Sequence, residues 1–298
     1  RLKIKPLYYT RTGKGIVFES KLKAIKTHPD FDAEIDRDAL ALYLRHNCIP
    51  APYTIYKNAW KLRPGHILRV PLHELGAGKE LPPPYFYWNA RMVAESGQDN
   101  MFQGIAIEAV DELDAVLRDS VRKRMVSDVP LGAFLSGGID SSTVVALMQA
   151  QSTRSVKTFT IGSDTAGYNE AVYAREVARQ LGTDHTELYV SPKDAMEIIP
   201  LLPMLYDEPF SDSSQIPTFL VSKLARQHVT VSLSGDGGDE LFGGYNRHFL
   251  VPKIWRRLGW IQPSLRAVAA KVLQSLSPNK WDDFFYKLNR FMPANKQF

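Results

Sequence analysis

Two short stretches hold the residues that could do chemistry. The first is Ser136-Gly137-Gly138-Ile139-Asp140-Ser141-Ser142, set between the apolar run Leu131–Leu135 and a helix-like stretch at Ser141–Gln151. Gly137 and Gly138 permit a sharp turn and a close backbone approach to a ligand. A helix starting there aims unpaired N–H groups and its positive dipole end at the loop, which favours a phosphate or pyrophosphate. Ser136, Ser141 and Ser142 add hydroxyl donors. Asp140 would repel that phosphate unless a cation lay between them. It is therefore a candidate Mg²⁺ ligand, because Mg²⁺ commonly combines one or two carboxylates with substrate phosphates. The plain alternative is a capped helix after a tight turn, yet five fixed positions match by chance in only about a few in ten thousand chains of this length. No Gly-Lys-Ser/Thr follows, so this is not a Walker loop.

The second stretch is Ser234-Gly235-Asp236-Gly237-Gly238-Asp239-Glu240-Leu241-Phe242-Gly243-Gly244-Tyr245, after the apolar run Val229–Leu233. It superficially matches a dinucleotide fingerprint, but Glu240 stands where the third glycine belongs. Three carboxylates so close raise one another's pKa unless a cation or hydrogen-bond donors compensate them. A metal bridging Asp140 and Asp239 would do so.

Both loops need strands and helices to hold them. From Ile105 to Met125 apolar residues recur at helical spacing. Strands are predicted at Leu131–Leu135, Val156–Ile161, His185–Val190 and Val229–Leu233, alternating with helices at Ser141–Gln151, Ala171–Leu181, Ala195–Leu205 and Ile216–His228. That alternation implies an α/β fold, a parallel sheet with helices on both faces, and ligands bind such sheets at the carboxyl ends of their strands. Residues 1–70 differ: Gly15–Ser20 and His66–Val70 read as strands, and Ala39–Arg45 as a helix that Asp36 can cap. Pro71, Gly76, Gly78 and Pro82–Pro83–Pro84 then mark residues 71–100 as a linker. The α/β domain is assigned to 101–298.

The formal charge of +5 is mild, and its densest runs, Arg122–Lys123–Arg124 and Arg256–Arg257, read as solvated helix faces. The lone Cys48 excludes an intramolecular disulfide and is expected to be a passive, partly buried thiol. No apolar run of transmembrane length occurs and no signal-peptide core follows Arg1–Lys5, so a cytoplasmic protein is expected.

The first loop resembles the pyrophosphate loop of the N-type ATP pyrophosphatases, a superfamily with an adenine-nucleotide α-hydrolase-like fold in which ATP is cleaved between its α- and β-phosphates. The second closely resembles asparagine synthetases that hydrolyse glutamine. By that resemblance ATP lies on Ser136, Gly137, Gly138, Asp140, Ser141, Ser142, Ser234 and Gly235. Phe134 or Leu135, together with Ile161, would meet adenine, and Asp140 and Asp239 would hold Mg²⁺. Asp236 would stand near the reacting carboxylate, where many members carry Glu. Phe159-Thr160-Ile161-Gly162, Asn169-Glu170 and Leu181-Gly182-Thr183-Asp184-His185 extend the resemblance, with His185 more structural than catalytic. Asp207-Glu208-Pro209-Phe210-Ser211-Asp212-Ser213-Ser214 resembles the family's stretch near substrate aspartate, so Asp207 and Asp212 are weighed as substrate contacts against helix caps.

Arg1-Leu2-Lys3-Ile4-Lys5-Pro6-Leu7-Tyr8-Tyr9, Phe18-Glu19-Ser20-Lys21 and Leu62-Arg63-Pro64-Gly65-His66 resemble the later, β-rich part of the family's N-terminal-nucleophile glutaminase domain. Lys3 replaces a usual glycine there. The glutaminase nucleophile is expected to lie outside this sequence, as is the family's catalytic lysine; Lys253, Lys271, Lys280 and Lys287 sit in helical stretches without that lysine's context. The implied chemistry adenylylates the aspartate side chain and transfers ammonia from glutamine to give asparagine. The expected partners are ATP, aspartate, ammonia or glutamine, with no nucleic acid and no membrane; a homodimer is left open. The alternatives are a β-lactam-forming, peptide-cyclising or polysaccharide-modifying enzyme on the same scaffold, and a non-catalytic nucleotide-binding homologue.

Overall fold

The computed structural model describes residues 5–13, 15–75, 80–163, 169–275 and 277–289. Arg1–Ile4, Gly76 and Gly78, invoked above, lie outside the described residues.

Near the N-terminus, strands β1 (Tyr8–Thr12) and β2 (Gly15–Glu19) form an antiparallel hairpin. Helices α1 (Leu22–Lys26) and α2 (Arg37–His46) follow, and β3 (Ala59–Lys61) pairs with the other edge of β1. Tyr8, Leu22, Ile25, Ala39, Ile49, Ile55 and Ala59 fill the core of this module. Asp36 caps α2 as predicted, accepting from the amides of Asp38 and Ala39 at 2.9 and 3.2 Å. Cys48 is exposed, which corrects the expectation of partial burial: the neighbouring apolar Ile49 takes the core position instead.

The predicted strand at His66–Val70 is shorter, β4 (His66–Ile67), paired antiparallel with β5 (Tyr85–Phe86). Continuing the register would set Leu68 opposite Pro84, which has no N–H to donate. The stretch read as a linker also holds helix α3 (Ala90–Asp99), capped by the Asn89 side chain and burying none of its residues.

Helix α4 (Ala106–Met125) leads into the α/β part: β6 (Leu131–Phe134), α5 (Ile139–Ala150), β7 (Lys157–Ser163), α6 (Ala171–Leu181) and β8 (Asp184–Val190). The helix expected over Ala195–Leu205 is broken: α7 (Pro192–Ile198) passes through a 3₁₀ turn into α8 (Leu202–Leu205). Pro200 and Pro203 cannot supply the amide hydrogens that a continuous helix needs. Then come α9 (Gln215–Ala225) and β9 (Val231–Leu233). The four strands β6 to β9 pair in parallel in the order β8-β7-β6-β9.

Strand alternation sorts the side chains onto two faces. Ala133 packs with Val121 of α4, Val145 and Met148 of α5, and Ala174 and Ala178 of α6. Phe134 and Phe159, opposite one another, pack with Val221, Leu224 and Ala225 of α9 and with Val229. Helices therefore cover both faces, as the alternation of strand and helix predicts.

The chain divides between Gly235 and Asp236 into two units. The second contains α10 (Gly238–Phe242), α11 (Asn246–Leu258), α12 (Pro263–Ser275) and α13 (Pro278–Asn289). No described helix is long and apolar enough to cross a membrane.

His185 is structural in position. Its side chain is largely shielded, Nδ1 lies 2.8 Å from Thr158 Oγ1, and partial burial depresses its pKa below 6.5. The unfolded chain then binds the proton more readily, so stability falls as pH drops from 6.5 through the folded pKa. His185→Gln should flatten that part of a stability–pH curve measured by urea unfolding. Phe159, 1% exposed, is the largest wholly buried side chain among the described residues. Phe159→Ala should cost about 3–5 kcal/mol in the same measurement.

Candidate functional site

The order of the strands selects one end of the sheet. From β6 the chain runs outward through β7 to β8, then returns to place β9 on the other side of β6. This reversal opens a crevice beyond the carboxyl ends of the strands. Ala133 pairs with Leu233, so the two glycine-rich loops leave neighbouring parallel strands side by side.

In the first loop Leu135 N still donates to Phe159 O at 3.0 Å, after which the chain turns away. Gly137 has φ +80°, and a Cβ there would fall 2.6 Å from Tyr173 Cβ and 2.7 Å from Ala174 N. The loop is thus pressed against the first turn of α6, and only glycine fits both the angle and the space. Gly138 is the N-cap of α5 and offers no side-chain cap. Ser136 Oγ lies 2.9 Å from Ser141 Oγ, which also accepts from Ser136 N at 3.2 Å. Ser142 Oγ is buried and has no hydrogen-bond partner among the described residues.

From the second loop, Gly235 reaches the same helix terminus. A Cβ at 235 would stand 2.7 Å from Ser141 N and 2.9 Å from the Asp140 carbonyl carbon. Two backbones therefore touch at the start of α5, where uncapped amides and the helix dipole favour an anion. An orphan hydroxyl and glycines packed against helix termini suit a polyphosphate.

The predicted adenine contacts separate. Phe134 and Ile161 lie on the same sheet face, Phe134 opposite Phe159 and Ile161 two residues further along β7. Leu135 is 1% exposed and belongs to the core under α4, α5 and α6, so its side chain is occupied. The wall formed by Tyr173 and Ala174 had no local signal, because only packing brings α6 to Gly137.

Asp236, Asp239 and Glu240 open the second unit. Gly237, with φ +94°, begins α10, and Gly244 lies so close to the Asp239 carboxylate that a Cβ would collide with it. The mutual elevation of carboxylate pKa values is not what Glu240 experiences. The Tyr245 hydroxyl donates to it at 2.6 Å and holds its pKa below the usual range. No cluster of three or more His, Cys, Asp or Glu suited to a metal occurs among the described residues. The two carboxylates expected to hold Mg²⁺, Asp140 and Asp239, fall in different units of the chain.

Asp207 and Asp212 each have a partner within the protein. Asp207 Oδ2 accepts from Leu22 N at 2.7 Å, in the N-terminal module. Asp212 accepts from Ser214 N at 2.7 Å before α9, and that bonding lowers its pKa. A separate cleft of about 820 Å³ is lined by Tyr9, Arg11, Phe31, Trp60 and Pro82–Pro84, and by neither glycine-rich loop.

Comparison with known proteins bears on this arrangement. The asparagine synthase family model matches residues 112–296, and a glutamine amidotransferase domain model matches residues 1–79. A putative glutamine-hydrolysing asparagine synthetase 2 of Methanocaldococcus jannaschii is 40% identical, over 83% of this chain and 46% of that protein. Asparagine synthetase 1 of Bacillus subtilis is 37% identical, over 82% of this chain and 36% of its own length. A putative asparagine synthetase of Mycobacterium bovis is 34% identical, over 92% of this chain and 41% of its own length. The chain thus spans less than half the length of each of these relatives. Among solved structures, an NH3-dependent NAD synthetase from Campylobacter jejuni aligns with a TM-score of 0.33 and 13% identity, over 57% of this chain and 89% of that one. With its synthase match extending over more than half of its residues, the chain belongs to the asparagine synthase family.

Proposed function

We propose that this chain provides the ATP-binding, amide-forming part of an asparagine synthetase. The observation that carries the reading is the meeting of Gly235 with the first turn of α5, beside the serine-rich turn after β6. Residues 1–70 are read as the later part of a glutaminase domain, 71–100 as a linker containing α3, and 101–298 as the synthetase domain.

In this reading Ser136, Gly137, Gly138, Asp140, Ser141 and Ser142 bind the phosphates of ATP, with Ser234 and Gly235 along the nucleotide. Phe134 and Ile161 flank adenine. The side-chain carboxylate of aspartate attacks the α-phosphorus, and pyrophosphate leaves. Ammonia then adds to the acyl carbon of β-aspartyl-AMP, loses a proton, and expels AMP to give asparagine. Asp140 and Asp239 would hold Mg²⁺, which supplies charge neutralisation for the departing pyrophosphate. Ser142 Oγ and the free amides of α5 stabilise the same charge without needing to reorganise. Asp236 is assigned to the reacting centre, close to the carboxylate and the incoming ammonia. The protein's main contribution is positioning and electrostatics.

Asp140→Asn and Asp239→Asn should each reduce Mg²⁺-dependent pyrophosphate release about a hundredfold, the scale for losing one charge-stabilising group. Metal-free nucleotide binding should change far less. Equal release by wild type and both variants, assayed with ATP, aspartate and ammonium across Mg²⁺ concentrations, would refute the metal assignment; mass spectrometry of the same mixtures identifies the amidated acid.

Gly235→Ala tests the loop contact. The methyl group must push the second loop off the start of α5, and ATP should bind about tenfold or more weakly, a loss near 1.4 kcal/mol. Calorimetric titration showing wild-type affinity would mean that the two backbones do not share the ligand.

A further inference from the structure

The stretch Met204–Ser211 belongs to the segment that matches the asparagine synthase model, yet its polar groups face the part that matches the amidotransferase model. Asp207 Oδ2 accepts from Leu22 N, the first amide of α1, at 2.7 Å, and Oδ1 lies 3.2 Å from Lys23 Nζ. Helix α1 has no capping side chain of its own, since its N-cap is Lys21. Glu208 Oε1 accepts from Ile55 N at 2.7 Å, while Oε2 lies 2.5 Å from Lys61 Nζ. Lys61 also donates to Ile49 O at 2.7 Å. The side chains of Lys61 and Glu208 are 9% and 10% exposed. Around them, Lys23 Nζ donates to Met204 O, Ser211 N donates to Asn47 O, and Tyr43 Oη lies 3.2 Å from Ser211 Oγ.

Donors from α1, from the turn at Ile55 and from strand β3 converge on one acidic dipeptide, while Tyr43 of α2 and Asn47 just after it meet Ser211 beside it. A buried carboxylate is costly unless paired and fully hydrogen-bonded. Glu208 is both, and its partners all come from the other module. Such a contact has little net value for stability compared with an apolar one, but it tolerates only one relative placement of the two parts.

We propose that Asp207 and Glu208 form a latch that docks the amidotransferase-like module on the synthase-like sheet, and that the Glu208–Lys61 pair is its positioning contact. Its purpose, resting on the function proposed above, is to keep the source of nitrogen in register with the acid that receives it. Ammonia released from glutamine is a small, freely diffusing base, and a displaced module would lose it to solvent.

Hydrogen exchange tests the latch directly. Glu208→Gln keeps an acceptor for Ile55 N but strands the Lys61 charge, so the Leu22 and Ile55 amides should exchange about tenfold or more faster. Amides in the β1–β2 and β1–β3 ladders should keep their protection. Lys61→Met combined with Glu208→Gln removes both charges and should restore much of the lost protection. In the full-length protein, Glu208→Gln should lower glutamine-supported relative to ammonium-supported asparagine formation. Unchanged exchange at both amides overturns the proposal. So does equal loss of protection throughout the module's own sheet, which would make these contacts part of its fold rather than a docking device. An unchanged ratio of the two nitrogen sources overturns the positioning role. Should wild type release no pyrophosphate from ATP, the functional reading fails, while the exchange measurement still decides the latch.

Discussion

The close approach of Gly235 to the amide of Ser141 is the constraint on which the site depends. Any side chain at 235 would separate the two loops by roughly the width of a methyl group. That contact exists only because β6 and β9 pair in parallel with Ala133 opposite Leu233. The pairing in turn needs a sheet buried on both faces, since parallel strands joined by helices cannot leave one face wet. Ala133 and Phe134, adjacent in sequence, serve the two opposite cores. Gly137 adds the same kind of restriction against the first turn of α6, so each loop lies against a helix terminus at a glycine.

Backbone donors suit a polyphosphate for a simple reason. They carry partial charge but no counter-charge to remove, and the sheet holds them before the ligand arrives. Serine hydroxyls complete the surface: Ser136 and Ser141 bond to one another, while Ser142 Oγ is buried without a partner among the described residues. Acidic side chains have divided duties in this protein. Glu240 is satisfied by the Tyr245 hydroxyl, Asp212 by the Ser214 amide, and Asp207 and Glu208 by groups of the N-terminal module. Tyr8 registers the last pair: burial first, then the charges of Glu208 and Asp207, push its pKa well above the ordinary tyrosine value. These bonds mark carboxylates that hold the protein together.

Much of this was legible in the sequence, because local physics writes it there. The strand–turn–helix unit around Ser136–Ser142, the Asp36 cap and the alternation of strands with helices follow from glycine tolerance, capping and side-chain periodicity. Family membership was legible for the same reason, since both glycine-rich loops are contiguous motifs. The misreadings were also local in cause. Two prolines broke a helix that periodicity alone had joined, and Pro84 cut short a strand whose partner could not donate.

Only the tertiary structure decided which distant pieces touch. Residues 133 and 233 are a hundred positions apart, and no spacing rule says that β9 pairs with β6 rather than with β8. Nor could composition separate Leu135, spent on the core, from Phe134 on the opposite face. Asp207 looks like a site carboxylate in a linear motif, yet folding brings Leu22 to it, and Ile55 and Lys61 to its neighbour Glu208, across more than 140 residues. Sequence determines which groups a segment can offer, because propensity, capping and turn chemistry act over a few residues. Which of those groups remain free for a ligand is decided when burial forces every other polar atom to find a partner.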